Sequence, residues 1–517
     1  MIFALGAALA LGVRAMAVWL NRNWFLQGFA GDSSIHFAMI RQLSKDPRSR
    51  YVEQYVIDDE PISYPLGFHR FARLFPLHVV RTRPWLPNLV IFALFSGVFF
   101  AYLHYIEREL LGRDGWAVLA IGATLFLLST SNLIFDGPAI AYVKLSERLL
   151  ARMACAAHML FLVAGMIWND PLSLCLAAAA GALALISSIF ARQAMVFTIP
   201  LLALFLWSAT PLWVLAASVV LAFAISRDHL YRGLRHTVIQ WKLYKTLTKP
   251  AKWVRSMLST FVSLKELRAT GTLRRAVWTM IHREPVRLFA FFPELVLLVA
   301  FALCSAPLDG LRLFLLAPVL ATLIVYVLTS TEAFNHLGES YRYLEYNLYF
   351  LFPVSIALLA GHVASDLRNL GIALYVMQTL AMWLVFQFIA IPHLRIWPKT
   401  DVLAEFIAAA RLPDNAVVFP VSIGTGADLC ARSTCRSFWY QPGVISTKLY
   451  EDYFEEFPFL KRDYRGLFKR HGVTHVICSK ITLNIMDTWT YDFSPLEKIH
   501  ESDDYVAYSV PPDMRAQ

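Results

Sequence analysis

Long apolar blocks alternate with polar segments along most of the chain. The blocks carry few or no charged residues and are mostly about 18 to 22 residues long, roughly the length that a helix needs to cross the hydrocarbon core of a membrane. They fall at about residues 2–20, 88–106, 115–133, 151–168, 172–190, 194–208, 211–226, 287–304, 310–329, 347–366 and 370–391. The pattern predicts about eleven transmembrane helices.

Three polar segments between these blocks are too long to be simple turns. They cover residues 21–87, 227–286 and 330–346. Long ordered loops usually carry function, so the functional residues are expected there.

The pattern changes after Pro392. Helical periodicity over 401–411 is followed by short strand-like runs at 416–419, 473–477 and 505–508. The sequence therefore predicts an all-α polytopic membrane protein with a small C-terminal α/β soluble domain. The two domains are expected to cover 1–398, including loops 21–87 and 227–286, and 399–517.

Composition excludes a soluble enzyme. Of the 517 residues, 57% are hydrophobic and 16% are charged, whereas soluble domains carry roughly 25% charged residues. The first apolar run contains Arg14 and has no obvious cleavage site, so it is interpreted as a first span and not as a signal peptide. No nucleic acid is expected among the partners.

The six cysteines show no metal-ligand spacing. Cys430 and Cys435 are close in sequence and can form a disulfide, which would place the C-terminal domain in an oxidising compartment. Sequence spacing does not fix disulfide geometry, so the pairing stays open.

The charges of the loops give two conflicting indications of orientation. Arg108 and Arg113 in a short loop favour the cytoplasm, and an odd number of spans then places 21–87, 330–346 and the C-terminal domain on the outer face. Loop 227–286 carries thirteen basic and three acidic residues, an excess equal to the +10 of the whole chain. By span parity it also lies outside, whereas the positive-inside rule would place it inside.

Two interpretations of this basic loop are compatible with each other. It can be a surface held to anionic lipid headgroups. It can also dock a phosphate-bearing lipid substrate or an acidic glycan.

An acid and an imidazole lie just after the first span. Asp32 and His36 are four residues apart, so on a helix they share one face. They can act as a general base and its orienting partner. Alternatively, Asp32 is an ordinary helix N-cap.

Further along the same loop, Asp58, Asp59 and Glu60 form a run of carboxylates that suits a divalent cation such as Mg²⁺ or Mn²⁺, or simply a solvated turn. The rigid, aromatic stretch that follows contains Tyr64 and His69, and it resembles the wall of a site more than a linker.

The third polar segment combines charges with aromatic residues just before a span. Such a combination is costly unless it meets a polar cavity. Arg342 can hold two phosphate oxygens with its planar fork. The neighbouring Glu339, Tyr343 and Glu345 can line the same site, or the two glutamates can neutralise Arg342.

Two further arginines, Arg148 and Arg192, lie at the borders of apolar blocks. Each can bind substrate, or it can extend toward the lipid headgroups.

Taken in order, these segments resemble the GT-C superfamily of polytopic glycosyltransferases, which holds protein O-mannosyltransferases and bacterial aminoarabinose transferases. The resemblance rests on the short first span, the segments Gly31–His36 and Tyr64–His69, the later motif Gly338–Tyr346, and the architecture of many spans followed by a soluble domain.

The resemblance implies a transferase in the bacterial inner membrane, with its site and C-terminal domain on the extracytoplasmic side. It would move a sugar from a polyprenyl-phosphate donor to a glycan, lipid or protein acceptor. Asp32 would act as base, and Arg342 would hold the donor phosphate. Many members have two acids where this chain has only Asp32, which leaves the dependence on a metal open.

Two other functions remain as alternatives. An O-antigen-type polymerase or ligase would use a long basic outer loop such as 227–286. A lipid or solute transporter would place ionisable residues inside its spans and show internal repeats.

Overall fold

In the computed structural model, the described residues are 1–20, 32–49, 51–56, 64–112, 117–129, 145–248, 286–305, 309–331, 333–334, 337, 340–385, 401–421, 423–438, 454–456, 459–460, 464–480 and 493–515. All structural statements below concern this part of the chain.

Helices make up the described part before residue 386. In chain order they are α1 Ile2–Leu20, α2 Asp32–Lys45, α3 Gly67–Ala72, α4 Leu77–Thr82, α5 Leu86–Tyr105, α6 Ala117–Leu127, α7 Arg148–Trp168, α8 Pro171–Ser187, α9 Ile189–Phe205, α10 Thr210–Thr248, α11 Val286–Phe291, α12 Pro293–Cys304, α13 Asp309–Thr329, α14 Tyr341–Leu348, α15 Leu351–Ala360 and α16 Ser365–Val385. Each of the eleven apolar blocks overlaps at least one of these helices.

Four helical stretches among the described residues are long and apolar enough to cross a membrane. They are Leu86–Leu110, Arg148–Trp168, Thr210–Arg227 and Gly310–Thr329. Helices α14 and α15 pass the same test together, with a bend of 65° between them. The predicted class, a polytopic helical membrane protein with a small C-terminal sheet, is confirmed.

Helix α7 lies at the centre of the bundle. Its residues from Leu149 to Gly165 are all buried, and it packs against α5, α8 and α14. Small side chains such as Ala151 and Ala157 let the neighbouring backbones approach closely, which is how helices associate where no water drives them together.

The C-terminal part combines helices with a mixed sheet. The helices are α17 Val402–Ala410, α18 Ile423–Arg432 and α19 Arg465–His471. The strands are β1 Val417–Pro420, β2 Arg436–Ser437, β3 Phe454–Glu456, β4 Phe459–Leu460, β5 His475–Ser479, β6 Glu497–Glu501 and β7 Tyr505–Ser509. Five of them form one sheet in the order β2-β1-β5-β7-β6, with β1 parallel to both neighbours.

The predicted helix and the three predicted strands of this part are all present. Asp401 caps α17, since its Oδ1 accepts a hydrogen bond from the Ala404 amide at 3.2 Å. The predicted division at 398/399 falls among residues outside the described ranges and stays a prediction. Cys430 and Cys435 are buried free thiols, so the disulfide that their spacing allowed is not formed.

The first polar segment packs directly against the C-terminal part. Ile35 and Met39 of α2 share a core with Phe419, and Arg41 donates to the Cys430 carbonyl at 2.7 Å. Tyr55 pairs with Ser437 as a short parallel bridge. The segment after α1 and the C-terminal part therefore lie on the same side of the helical bundle, as an odd number of spans requires.

Candidate functional site

Helix α2 places its first turn between the bundle and the C-terminal part. The helix begins at Asp32, whose side chain lies outside what the structure describes. Ser33, Ser34 and His36 are all fully or almost fully buried. The Ser34 hydroxyl donates to Asp428 of α18, so the C-terminal part holds this turn in place.

His36 links two other buried side chains. Its Nε2 lies 2.9 Å from Oε2 of Glu147, the residue just before α7. Its Nδ1 lies 2.9 Å from Nε2 of His69 in α3. An ionised carboxylate only accepts hydrogen bonds, so His36 donates to Glu147 through Nε2. The three side chains form a continuous hydrogen-bonded row.

Local packing explains why His69 reaches this row. Gly67 begins α3 directly against the end of α8, where a Cβ would lie 2.7 Å from Ser187 Oγ and 2.9 Å from the Ile186 carbonyl. Only glycine permits this approach. The Tyr64 ring lies 5.8 Å from the His36 ring, and its hydroxyl hydrogen-bonds to Glu147.

Burial and neighbouring charges fix the protonation of the two ends of the row. For Glu147, burial alone would raise the pKa, but His36, Arg148 and Tyr64 together lower it below its ordinary value. For His69, burial and then the charge of His36 lower the pKa to about 3. At neutral pH the row therefore has a carboxylate at one end and a neutral imidazole at the other.

A second group of charged residues comes from the start of α7 and from α14. The charges of Glu147, Glu345, Arg342 and Arg148 all act on the hydroxyl of Tyr346, which is buried. Both groups of predicted site residues, those of the first polar segment and those of the late motif, therefore meet around Glu147 and Tyr346.

The late motif is buried along its whole helical length. The Arg342 guanidinium lies 4.1 Å from the centre of the Phe190 ring, so the aromatic face fixes its plane. Glu345 accepts a hydrogen bond at 2.8 Å from Arg152 of α7, with both side chains buried. The Tyr343 hydroxyl donates to the Leu337 carbonyl at 3.1 Å.

Arg192 does not extend toward the lipid headgroups, which corrects that alternative for this residue. It is 3% exposed, and its Nε donates to the Leu185 carbonyl at 2.6 Å. Arg148 is partly exposed and acts electrostatically on Glu147.

Sequence reasoning missed Glu147 and Arg152 as members of the site. Glu147 directly precedes Arg148 at the border of a predicted span. Arg152 lies four residues after Arg148, inside a block that predicts a plain apolar span. A buried charge inside a span is costly unless it has a partner, so Arg152 was itself a signal of a polar interior. Its partner, Glu345, is 193 residues away.

Three predicted site residues lie outside the described part of the chain. They are Asp58 and Asp59, predicted as metal ligands, and Glu339, predicted to bind substrate.

The predicted divalent cation stays a prediction, because its predicted ligands Asp58 and Asp59 lie outside the described ranges. Among the described residues, no group of three His, Cys, Asp or Glu side chains has the arrangement of a metal site. Both ring nitrogens of His36 are engaged in hydrogen bonds, to Glu147 and to His69.

Comparison with known proteins shows what the chain is similar to. No family model and no curated protein sequence matches it. Among solved structures it is similar to ArnT from Cupriavidus metallidurans bound to undecaprenyl phosphate, with 12% sequence identity, a TM-score of 0.51 and 99% of each chain covered. The match to the Archaeoglobus fulgidus oligosaccharyltransferase in complex with Zn and sulfate has 12% identity and a TM-score of 0.50, and it covers 99% of this chain and 74% of that one.

A third similar structure is the arabinofuranosyltransferase AftD from Mycobacteria, with 14% identity and a TM-score of 0.50. The match covers 100% of this chain but only 41% of AftD. At such low identity these matches concern the fold.

Proposed function

Because the chain has the fold of the GT-C superfamily of membrane glycosyltransferases, we propose that it transfers a sugar from a polyprenyl-phosphate donor to a glycan, lipid or protein acceptor. The observation that carries the proposal is the meeting of the first turn after α1 with the buried charges of α7 and α14 around Glu147. We place the reaction at the extracytoplasmic face of a bacterial inner membrane.

The reaction needs a base, charge compensation and alignment. The acceptor hydroxyl gives its proton to a carboxylate, and its oxygen forms a bond to the anomeric carbon of the sugar. The bond between that carbon and the phosphate oxygen breaks, and its electron pair leaves with the polyprenyl phosphate. A glycosyl phosphate already has a good leaving group, so positioning and electrostatics supply most of the catalysis.

Asp32 is the proposed base, and His36 is its positioning residue. The two are one helical turn apart on α2 and therefore share a face. His36 has both ring nitrogens occupied, by Glu147 and by His69. It therefore fixes the orientation of α2 and does not itself take the proton.

Arg342 is the proposed ligand of the donor phosphate. Phe190 covers one face of its guanidinium, and the edge of a guanidinium can hold two oxygens of a phosphate. Arg148 adds positive charge near the same place, and Tyr64 and Tyr343 are proposed to bind substrate.

Replacing Asp32 by Asn is expected to lower sugar transfer by about 100- to 10,000-fold, the range that general base catalysis contributes. The amide keeps the shape of the side chain but cannot take the proton. The measurement is transfer from a radiolabelled polyprenyl-phosphate sugar in membranes that carry equal amounts of protein.

The matched control is Asp46→Asn. Asp46 is exposed just beyond the other end of α2, so this variant should transfer sugar at the normal rate. Normal transfer by the Asp32→Asn variant would show that another group is the base.

Replacing Arg342 by Ala is expected to raise the KM for the donor by at least about tenfold, because a hydrogen bond to a charged group contributes roughly 1.5–3 kcal/mol. The KM for the acceptor should change much less. Steady-state kinetics with each substrate varied in turn measure both constants.

The Arg342→Lys variant should recover only part of the donor affinity, since an ammonium group lacks the planar fork of a guanidinium. If the Arg342→Ala variant lost affinity for donor and acceptor equally, Arg342 would not be the ligand of the donor phosphate.

A further inference from the structure

We propose that Arg192 and Arg232 form a second oxyanion site, for a phosphate-type group, where α9 crosses α10. This proposal rests on the proposed function and deepens it. It implies that the donor or the acceptor carries a second anionic group besides the phosphate at Arg342.

Arg192 is a buried charge without a counterion among the described residues. It is 3% exposed, and its one hydrogen bond there runs from Nε to the Leu185 carbonyl at 2.6 Å. Its Nη1 has no hydrogen-bond partner within the described ranges. Burying a guanidinium without an opposite charge is strongly unfavourable, and an anionic ligand would supply that charge.

Helix α10 has a glycine, Gly233, at the point where Arg192 contacts it. A Cβ at Gly233 would lie 2.3 Å from Nη1 of Arg192 and 3.0 Å from its Cζ. Only glycine lets the guanidinium lie against the α10 backbone. The preceding residue, Arg232, carries a second guanidinium group, and its buried Nε likewise has no hydrogen-bond partner in the part described. An anion bound at this crossing would be stabilised by both positive charges.

The crossing belongs to the wall of the site. Gln193, with its amide oriented to satisfy both neighbours, donates to the Leu337 carbonyl at 2.9 Å and accepts from the Trp241 indole at 2.6 Å. The Phe197 ring lies 5.7 Å from the Trp241 ring and 6.4 Å from the Tyr343 ring. The start of the basic segment 227–286 therefore lies on the site side of the bundle.

The second site is separate from that of Arg342. Arg342 of α14 lies over the Phe190 ring of α9. Arg192 follows Phe190 by two residues on α9. Residues two apart project from different sides of a helix, so the two guanidinium groups flank α9 on different sides. The second anion is then either a phosphate or carboxylate of the acceptor or a further phosphate of the donor.

The test uses the purified full-length chain in detergent and inorganic phosphate as the probe. The apparent melting temperature is measured over a phosphate titration, with sodium chloride at equal ionic strength as the reference. A ligand that binds the folded state raises the melting temperature in proportion to its occupancy. The wild type is expected to be stabilised by phosphate, and Arg192→Gln is expected to weaken that phosphate affinity by at least about tenfold.

Two variants make the result specific. Gly233→Ala keeps every charge but displaces the guanidinium, and it should weaken phosphate binding too. Arg235→Gln removes one charge from an exposed position on the same helix and should leave the titration unchanged. Equal titrations for Arg192→Gln and Arg235→Gln, or no specific effect of phosphate on the wild type, would overturn the proposal.

Competition with a polyprenyl phosphate identifies the source of the anion. If saturating polyprenyl phosphate removes the Arg192-dependent effect, the site serves the lipid-linked donor. If the effect persists, the site serves the acceptor. Binding is measured without turnover, so a chain that proves unable to transfer sugar can still show this anion site, and the two failures are distinguishable.

Discussion

Replacing Glu147 by Gln is expected to lower sugar transfer by about 100-fold, the effect of displacing catalytic groups by about 1 Å. The carboxylate accepts from His36 Nε2 at 2.9 Å, and it holds the first turn of α2 to the start of α7. An amide in its place is uncharged, so it forms a weaker hydrogen bond with His36 Nε2 than the carboxylate does. The loss should appear in kcat, since Glu147 orients a proposed catalytic turn and does not hold the donor phosphate.

The control for Glu147 is Glu53→Gln. Glu53 is 62% exposed and pairs with Lys45 at 2.8 Å, an exposed ion pair of the kind that contributes about 0–1 kcal/mol. A Glu147→Asp variant keeps the charge and should recover part of the activity. If Glu147→Gln changed only the melting temperature and left kcat at the wild-type value, Glu147 would have a purely structural role.

Replacing Arg152 by Met is expected to destabilise the protein by about 3–5 kcal/mol, because it leaves the buried Glu345 carboxylate without its partner. Arg152 and Glu345 lie 2.8 Å apart and are 1% and 7% exposed, respectively. Arg152 also lies over the Tyr349 ring, 4.2 Å from its centre, and Tyr349 lies between α14 and α15. Unfolding by SDS, followed by tryptophan fluorescence, gives the free-energy difference.

A double-mutant cycle separates the interaction energy of the Arg152–Glu345 ion pair from the contribution of side-chain packing. Met at both positions 152 and 345 removes both charges, so the double variant should be more stable than the sum of the single losses predicts. The exposed pair Arg108–Glu109, at 3.3 Å, is the reference, and Arg108→Met should cost less than about 0.5 kcal/mol. Strict additivity of the Arg152 and Glu345 effects would show that the ion pair does not couple α7 to α14.

Local signals in the sequence indicated some residues of the candidate site and did not indicate others. The spacing of Asp32 and His36 marked the first turn of α2, and the rigid aromatic stretch marked Tyr64 and His69, because both signals lie within a few residues. Glu147 and Arg152 joined the site only through partners that are far away in sequence, His36 and Glu345. A single sequence does not show which distant residues are in contact. From their positions alone, Glu147 is predicted at the border of a span and Arg152 in its interior.

The conflict over the basic loop had the same origin. Counting charges in 227–286 and counting spans gave opposite sides, and neither count uses contacts. The contacts of Gly233 with Arg192 and of Trp241 with Gln193 place the beginning of that segment beside the site. The position of the beginning of segment 227–286 relative to the site therefore follows from helix packing.

The amino-acid sequence alone predicts a bundle of apolar helices with a small C-terminal sheet, because the length and the periodicity of hydrophobic segments are local properties. Which polar groups share a site depends on the tertiary structure, since buried charges pair with the partners that the packed helices bring near them. The row from Glu147 through His36 to His69, and the shared core of α2 with the C-terminal part, are products of that packing.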